Sequence, residues 1–309
     1  MELRGTQIVD TYAEAFPMVA TRAIITAATP YWAETAARVA TGYATSVIAC
    51  DAEAGIETVL EPADTPDGRP GVSCLFFAFS RDKLEAAVAN RVGQCVMTCP
   101  STACYDGLVD RTPTIRVGGR LRFFGDGYQI SKLIDTNPGL DAATEAPRRK
   151  RRLWRVPVMD GEFVCDDVFG TVKGVAGGNF LILAENQEQG LGAASRAVAA
   201  IEGVADVILP FPGGVVRSGS KVGSKYKALR ASTNDAYCPT LRAIVDTKLP
   251  ETVNCVYEIV IDGLTQEAVR EAMRRGIEAA CGPGVVQIAA GNYGGKLGPY
   301  LFHLRELFA

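Results

Sequence analysis

Cys255-Val256-Tyr257-Glu258-Ile259-Val260-Ile261-Asp262 predicts a β-strand, because β-branched and aromatic residues crowd into one short run. Alternation places Val256, Glu258 and Val260 on one face and Tyr257, Ile259 and Ile261 on the other. An amphipathic helix follows from Thr265 to Cys281, with Thr265 as its cap and Glu267 and Glu271 in its early turns. Val285 to Ala289 reads as a second strand. The unit is therefore strand–helix–strand.

The same order recurs along the chain. Phe180 to Ala184 predicts a strand, Glu188 to Ile201 an alanine-rich helix, and Ala205 to Leu209 a strand. In the first half, Ala23 to Ala27, Ser46 to Cys50, Val72 to Phe79 and Gln94 to Thr98 read as strands. A helix over Pro30–Thr41 starts with proline in its first turn and stops at Gly42. Ser80 caps another that runs through Arg91. Two strand–helix–strand units per half predict an α/β (α+β) chain of two ferredoxin-like sandwich lobes with mixed, mainly antiparallel sheets. The boundary is expected near residue 150, giving lobes 1–150 and 151–309. Asp135 to Gly139 carries turn chemistry, and Arg155 to Val164 reads as a hairpin turning at Asp160-Gly161.

At 309 residues the chain is long for one core, which favours two lobes. Its formal charge of −3 gives no support for nucleic-acid or membrane binding. No apolar run approaches the roughly 18–20 residues that cross a bilayer, and the start has no signal-peptide core. Cytoplasmic location and reduced thiols are the expectation for the nine cysteines. A single histidine, His303, removes most metal and acid–base schemes, so no metal is expected.

Four glycine-rich segments lie near strand ends: Gly174–Gly178, Pro212–Gly214, Gly219–Gly223 and Gly291–Gly298. Each is a tight turn or a place where exposed N–H groups meet a ligand. Neither a phosphate-binding loop nor a dinucleotide fingerprint is present, so no nucleotide is expected. The polar loop from Ala231 to Pro239 offers Asn234, Asp235 and Tyr237 as binding candidates, and the last glycine segment adds Asn292, Tyr293 and Lys296. Glu258 is either a solvated sheet residue or a desolvated carboxyl that stays protonated near neutral pH and works as an acid–base. The basic run at residues 148–152 is a solvated linker or a contact for an acidic partner.

Segments spread over the whole chain resemble the formylmethanofuran:tetrahydromethanopterin formyltransferase family. They include Asp10 to Phe16, Thr65 to Val72, Gly93 to Thr98, Ser220 to Lys225, Ala231 to Thr240, Cys255 to Ile261 and Gly291 to Gly298. The resemblance implies formyl transfer with tetrahydromethanopterin and methanofuran, or an analogue, as co-substrates. It implies homo-oligomers or membership of a formyltransferase/hydrolase complex of the bacterial branch. It also implies that Glu258 is the catalytic acid–base. The alternative is a non-catalytic, pterin-binding or scaffolding subunit of such a complex.

Overall fold

A computed structural model describes residues 1–135 and 150–309. The expected turn beyond Asp135 and the first part of the basic run, Arg148 and Arg149, lie outside the described residues. Contacts divide the chain into two compact units, Val19–Val172 and Met1–Met18 with Lys173–Ala309.

In the unit Val19–Val172, the strand Tyr12–Thr26 contributes from Val19 onward. It is followed by helix Pro30–Thr41, strands Glu53–Leu60 and Gly71–Ala78, helix Arg81–Arg91 and strand Ala103–Asp106. In space the strands run Glu53–Leu60, Gly71–Ala78, Val19 to Thr26, Ala103–Asp106, each antiparallel to its neighbour. Gly161–Asp166 extends this sheet in parallel with Ala103–Asp106, and Lys150–Val158 and Ile130–Asp135 complete it. Ala23, Ile25, Val72, Cys74 and Phe76 bury against Ala33, Ala37, Ala40, Leu84 and Val88 of the two helices.

The other unit repeats the plan with Val172–Ala184, helix Gln187–Ile201, Val207–Ile208, Cys255–Gly263, helix Gln266–Ala280 and Val285–Ala289. Its strand order is Val207–Ile208, Cys255–Gly263, Val172–Ala184, Val285–Ala289. Each unit thus has the β-α-β-β-α-β order of the expected ferredoxin-like sandwich. Asn186 and Thr265 cap the two helices by accepting from the N–H groups of Gln189 and Ala268. Tyr257, Ile259 and Ile261 bury against Ala193, Ala197, Val269 and Met273. Full burial of a side chain such as Ile259 or Ile261 stabilises the unit by about 1.5–3 kcal/mol. The helices lie against that face alone, which leaves Val256, Glu258 and Val260 on the side covered by loops.

Several expectations are corrected. Residues 1–18 join 173–309 rather than the first lobe, because Gln7 and Ile8 pair with Gln287 and Ile288, and Tyr12 to Ala15 pair with Tyr300 to His303. Ser46 to Cys50 is a turn in which Ala49 and Cys50 both donate to the Ser46 carbonyl, and Ile48 is exposed. The strand is Glu53–Leu60, whose partner Gly71–Ala78 supplies the burial that the Val-Ile pair lacks. Gln94 to Thr98 is not a strand either. The preceding helix runs on through a π turn, Val92–Val96, closed by Met97 N–H donating to the Val92 carbonyl at 2.8 Å. Val92 and Val96 are four apart, and the turn sends both into the core. The described part of the basic run is no linker: Arg151 forms a buried two-point ion pair with Asp166 from within the strand Lys150–Val158.

Candidate active site

The strand Cys255–Gly263 is held from both edges at Glu258. On one side Leu181 pairs with it across the antiparallel ladder. On the other, the Val216 N–H donates to the Glu258 carbonyl at 2.8 Å and the Glu258 N–H donates back at 3.0 Å. With its backbone fixed, the side chain of Glu258 must project onto the face opposite the helices. There it meets an open recess with about 320 Å³ of empty space, lined among others by Leu181, Arg217, Gly219, Asn234, Tyr237 and Cys238.

Glu258 is half-buried, and its carboxyl makes no hydrogen bond to any described residue. It lines the recess, and the protein around it removes much of its hydration. Burial therefore pushes its pKa up to about 7, from an ordinary value of 4.5. No described residue pairs the charged form, so the protonated acid is well populated at neutral pH. It has a proton to give and a free oxygen to receive one.

The polar loop folds over this recess. A short ladder joins Lys221–Val222 to Ala231–Ser232, and a 3-10 turn over Asp235–Tyr237 follows. Asn234 and Tyr237 line the recess with Glu258, and burial raises the Tyr237 phenol. Asp235 is drawn away into an ion pair with Lys221, whose hydrogen bond lowers the Asp235 pKa. It serves the loop's own shape.

The second candidate segment divides in the same manner. Tyr293 sends its hydroxyl to the Ser220 carbonyl at 3.3 Å. Burial chiefly raises its pKa; the Ser220 bond opposes this, and the nearby Glu258 carboxylate adds to the rise. Asn292 is a tether, donating to the Thr11 hydroxyl and the Tyr12 carbonyl. Lys296 is exposed and is not among the residues lining the recess. The structure thus brings Glu258, Asn234, Tyr237 and Tyr293 together, and sets Asp235, Asn292 and Lys296 apart from them.

Most glycine N–H groups of this segment are used within the protein. Two of them, Gly295 and Gly298, turn toward Glu14, a buried carboxylate that also accepts from the N–H groups of Tyr293 and Leu297, and Gly291 donates to Asn179 Oδ1. Gly294 and Gly295, at φ of 68° and 75°, provide the left-handed turn this requires. The sequence carries one signal for Glu14, a carboxylate set between two alanines in the apolar stretch that opens a strand. Arg217, which also lines the recess, carries none.

Among the described residues, no cluster of three or more His, Cys, Asp or Glu is placed to hold a metal ion, and no helix is long and apolar enough to cross a membrane. The His303 ring lies 5.3 Å from that of Tyr12, at the strand pairing that ends the chain.

Comparison with known proteins matches residues 1–158 to a family described as formylmethanofuran-tetrahydromethanopterin formyltransferase, and 161–307 to that family's proximal lobe. The chain is 55% identical to the formylmethanofuran–tetrahydromethanopterin formyltransferase of Methylococcus capsulatus, across all of both chains. It is 49% identical to one subunit of the formyltransferase/hydrolase complex of Methylorubrum extorquens, over 99% of this chain and 96% of that one. A solved structure of that organism's formyltransferase/hydrolase complex, with methylofuran bound, superimposes with a TM-score of 0.93 at 47% identity, over 100% of this chain and 99% of the other.

Proposed function

Because the chain belongs to the formylmethanofuran-tetrahydromethanopterin formyltransferase family, we propose that it moves a formyl group between N5 of tetrahydromethanopterin and the amine of methanofuran or an analogue, directly and through a tetrahedral intermediate. The observation that carries this reading is the Glu258 carboxyl in a recess, unpaired among the described residues and with its pKa raised to about 7 by burial.

In the reaction, the acceptor amine attacks the formyl carbon and a C–N bond forms. The carbonyl π electrons move to oxygen. Protonated Glu258 donates a hydrogen bond to that oxygen, a contact typically worth about 2.7–4 kcal/mol. The C–N bond to the donor then breaks, with the Glu258 proton passing to the departing nitrogen. The carboxylate left behind takes the proton that the attacking amine must lose, which restores the acid. Asn234 and Tyr237 line the recess with the carboxyl, Tyr293 lies nearby, and all three are proposed to orient the two carriers. Holding both together supplies up to about 7–11 kcal/mol in well-oriented cases.

Methanofuran and tetrahydromethanopterin, or their analogues, are thus the proposed co-substrates, and homo-oligomers or the subunits of a formyltransferase/hydrolase complex the proposed partners. Initial-rate kinetics with both carriers varied test the mechanism. Direct transfer predicts intersecting double-reciprocal lines and no formylated enzyme in mass spectra; parallel lines with a mass gain of one formyl group contradict it.

A further inference from the structure

Glu14 has no part in the steps above, yet few carboxylates are so fully engaged. The residue is 1% exposed. Its Oε2 accepts from Tyr293 N–H at 2.8 Å and Gly295 N–H at 3.0 Å, and its Oε1 accepts from Leu297 N–H and from Gly298 N–H at 3.0 Å. Burial alone raises a carboxyl pKa, but these four donors outweigh it and hold the Glu14 pKa below 4.5. The four donors favour the charged form, and the backbone from Tyr293 to Gly298 is wrapped around it. From that wrapped segment Tyr293 reaches Ser220, whose carbonyl accepts from its hydroxyl, and lies near enough to Glu258 to feel its charge. Ser220 lies four residues beyond Val216, which holds the Glu258 backbone.

We infer that Glu14 is a positioning residue for Glu258, acting through the backbone of residues 293–298 and the Tyr293 side chain. The inference rests on the acid–base reading of Glu258. It assigns Glu14 the task of keeping the recess tight, so that the Glu258 carboxyl stays poorly hydrated. Among the described residues, Arg217, Tyr237 and Cys238 are the other charged or titratable groups that line the recess with that carboxyl, and Tyr293 lies within its electrostatic reach.

Carbon-13 NMR titration of the Glu258 carboxyl, assigned through Glu258→Gln, tests this without using catalysis as the readout. Glu14→Gln keeps the shape but turns an NH₂ group toward two N–H donors, which opens one side of the wrap. The Glu258 midpoint is expected to fall by about one pH unit or more as water enters, and kcat at pH 7 by about tenfold. Tyr293→Phe leaves the four Glu14 bonds in place and removes the link to Ser220; it is expected to give a smaller shift in the same direction. An unchanged midpoint in folded Glu14→Gln, with the unsubstituted protein titrating near 7, overturns this inference alone. If the unsubstituted protein titrates near 4.5, the acid–base reading falls and this inference with it. Should Glu14→Gln fail to fold, Tyr293→Phe decides, and no shift there overturns the inference.

Discussion

The Val216 and Glu258 backbones exchange a pair of hydrogen bonds, at 2.8 and 3.0 Å, outside any regular ladder. This isolated bridge does two things at once. It fixes the peptide that carries the acid, and it brings the following residues, Arg217 to Gly219, onto the rim of the recess. The loop that shields the carboxyl is thus anchored at the carboxyl's own residue.

Val216→Pro tests that anchor. Proline has no N–H to donate to the Glu258 carbonyl. Stability is expected to drop by about 1–3 kcal/mol in denaturant unfolding. Steady-state kinetics are expected to show kcat reduced by about tenfold or more. A variant with unchanged kcat shows that the bridge does not hold the site.

Gly298 reports on the segment that carries Tyr293. A Cβ there would lie 2.1 Å from the Ala15 carbonyl oxygen and 2.8 Å from the Phe16 Cα, both backbone atoms with little freedom to move. Gly298→Ala is expected to destabilise the protein by about 1–3 kcal/mol or more by thermal or chemical unfolding, and to raise KM through displacement of the segment bearing Tyr293. Wild-type stability would show that the segment moves aside freely.

Much of this was legible in the sequence. Pro30–Thr41 and the Ser80 and Thr265 caps carry local signals, and local signals suffice for helices. The alternation around Glu258 put the acid on the correct face because a strand's period of two does not depend on its neighbours. What stayed hidden depends on distant partners. The pairing of residues 1–18 with 285–303, the bridge from Val216, and the four donors to Glu14 join positions more than 40 apart. Asn292 and Asp235 have the chemistry of binding residues, and only the fold shows that tethers absorb them. The Gln94–Thr98 error came from reading an apolar run by composition when its four-residue spacing was helical.

Glu258 also ties stability to pH. Its folded pKa of about 7 lies above the ordinary 4.5, so the folded state holds this proton more tightly than the unfolded chain. That contribution is fully present below pH 4.5 and is lost as pH rises through 7. A difference of about 2.5 caps the effect at about 3 kcal/mol. Glu258→Gln has no such proton to lose. Between pH 5 and pH 8 its stability is expected to fall less than that of the unsubstituted protein, in parallel denaturant titrations. Identical slopes would mean that the carboxyl is hydrated in the folded state.

In the proposed mechanism the Glu258 carboxyl handles both the proton and the oxyanion during formyl transfer. The most direct test is kcat for Glu258→Gln at pH 7, with both carriers saturating. Glutamine keeps the shape and one donor but cannot pass a proton. A loss in kcat of at least about 10²-fold, with little change in KM, is the predicted result. A turnover close to that of the unsubstituted protein contradicts it.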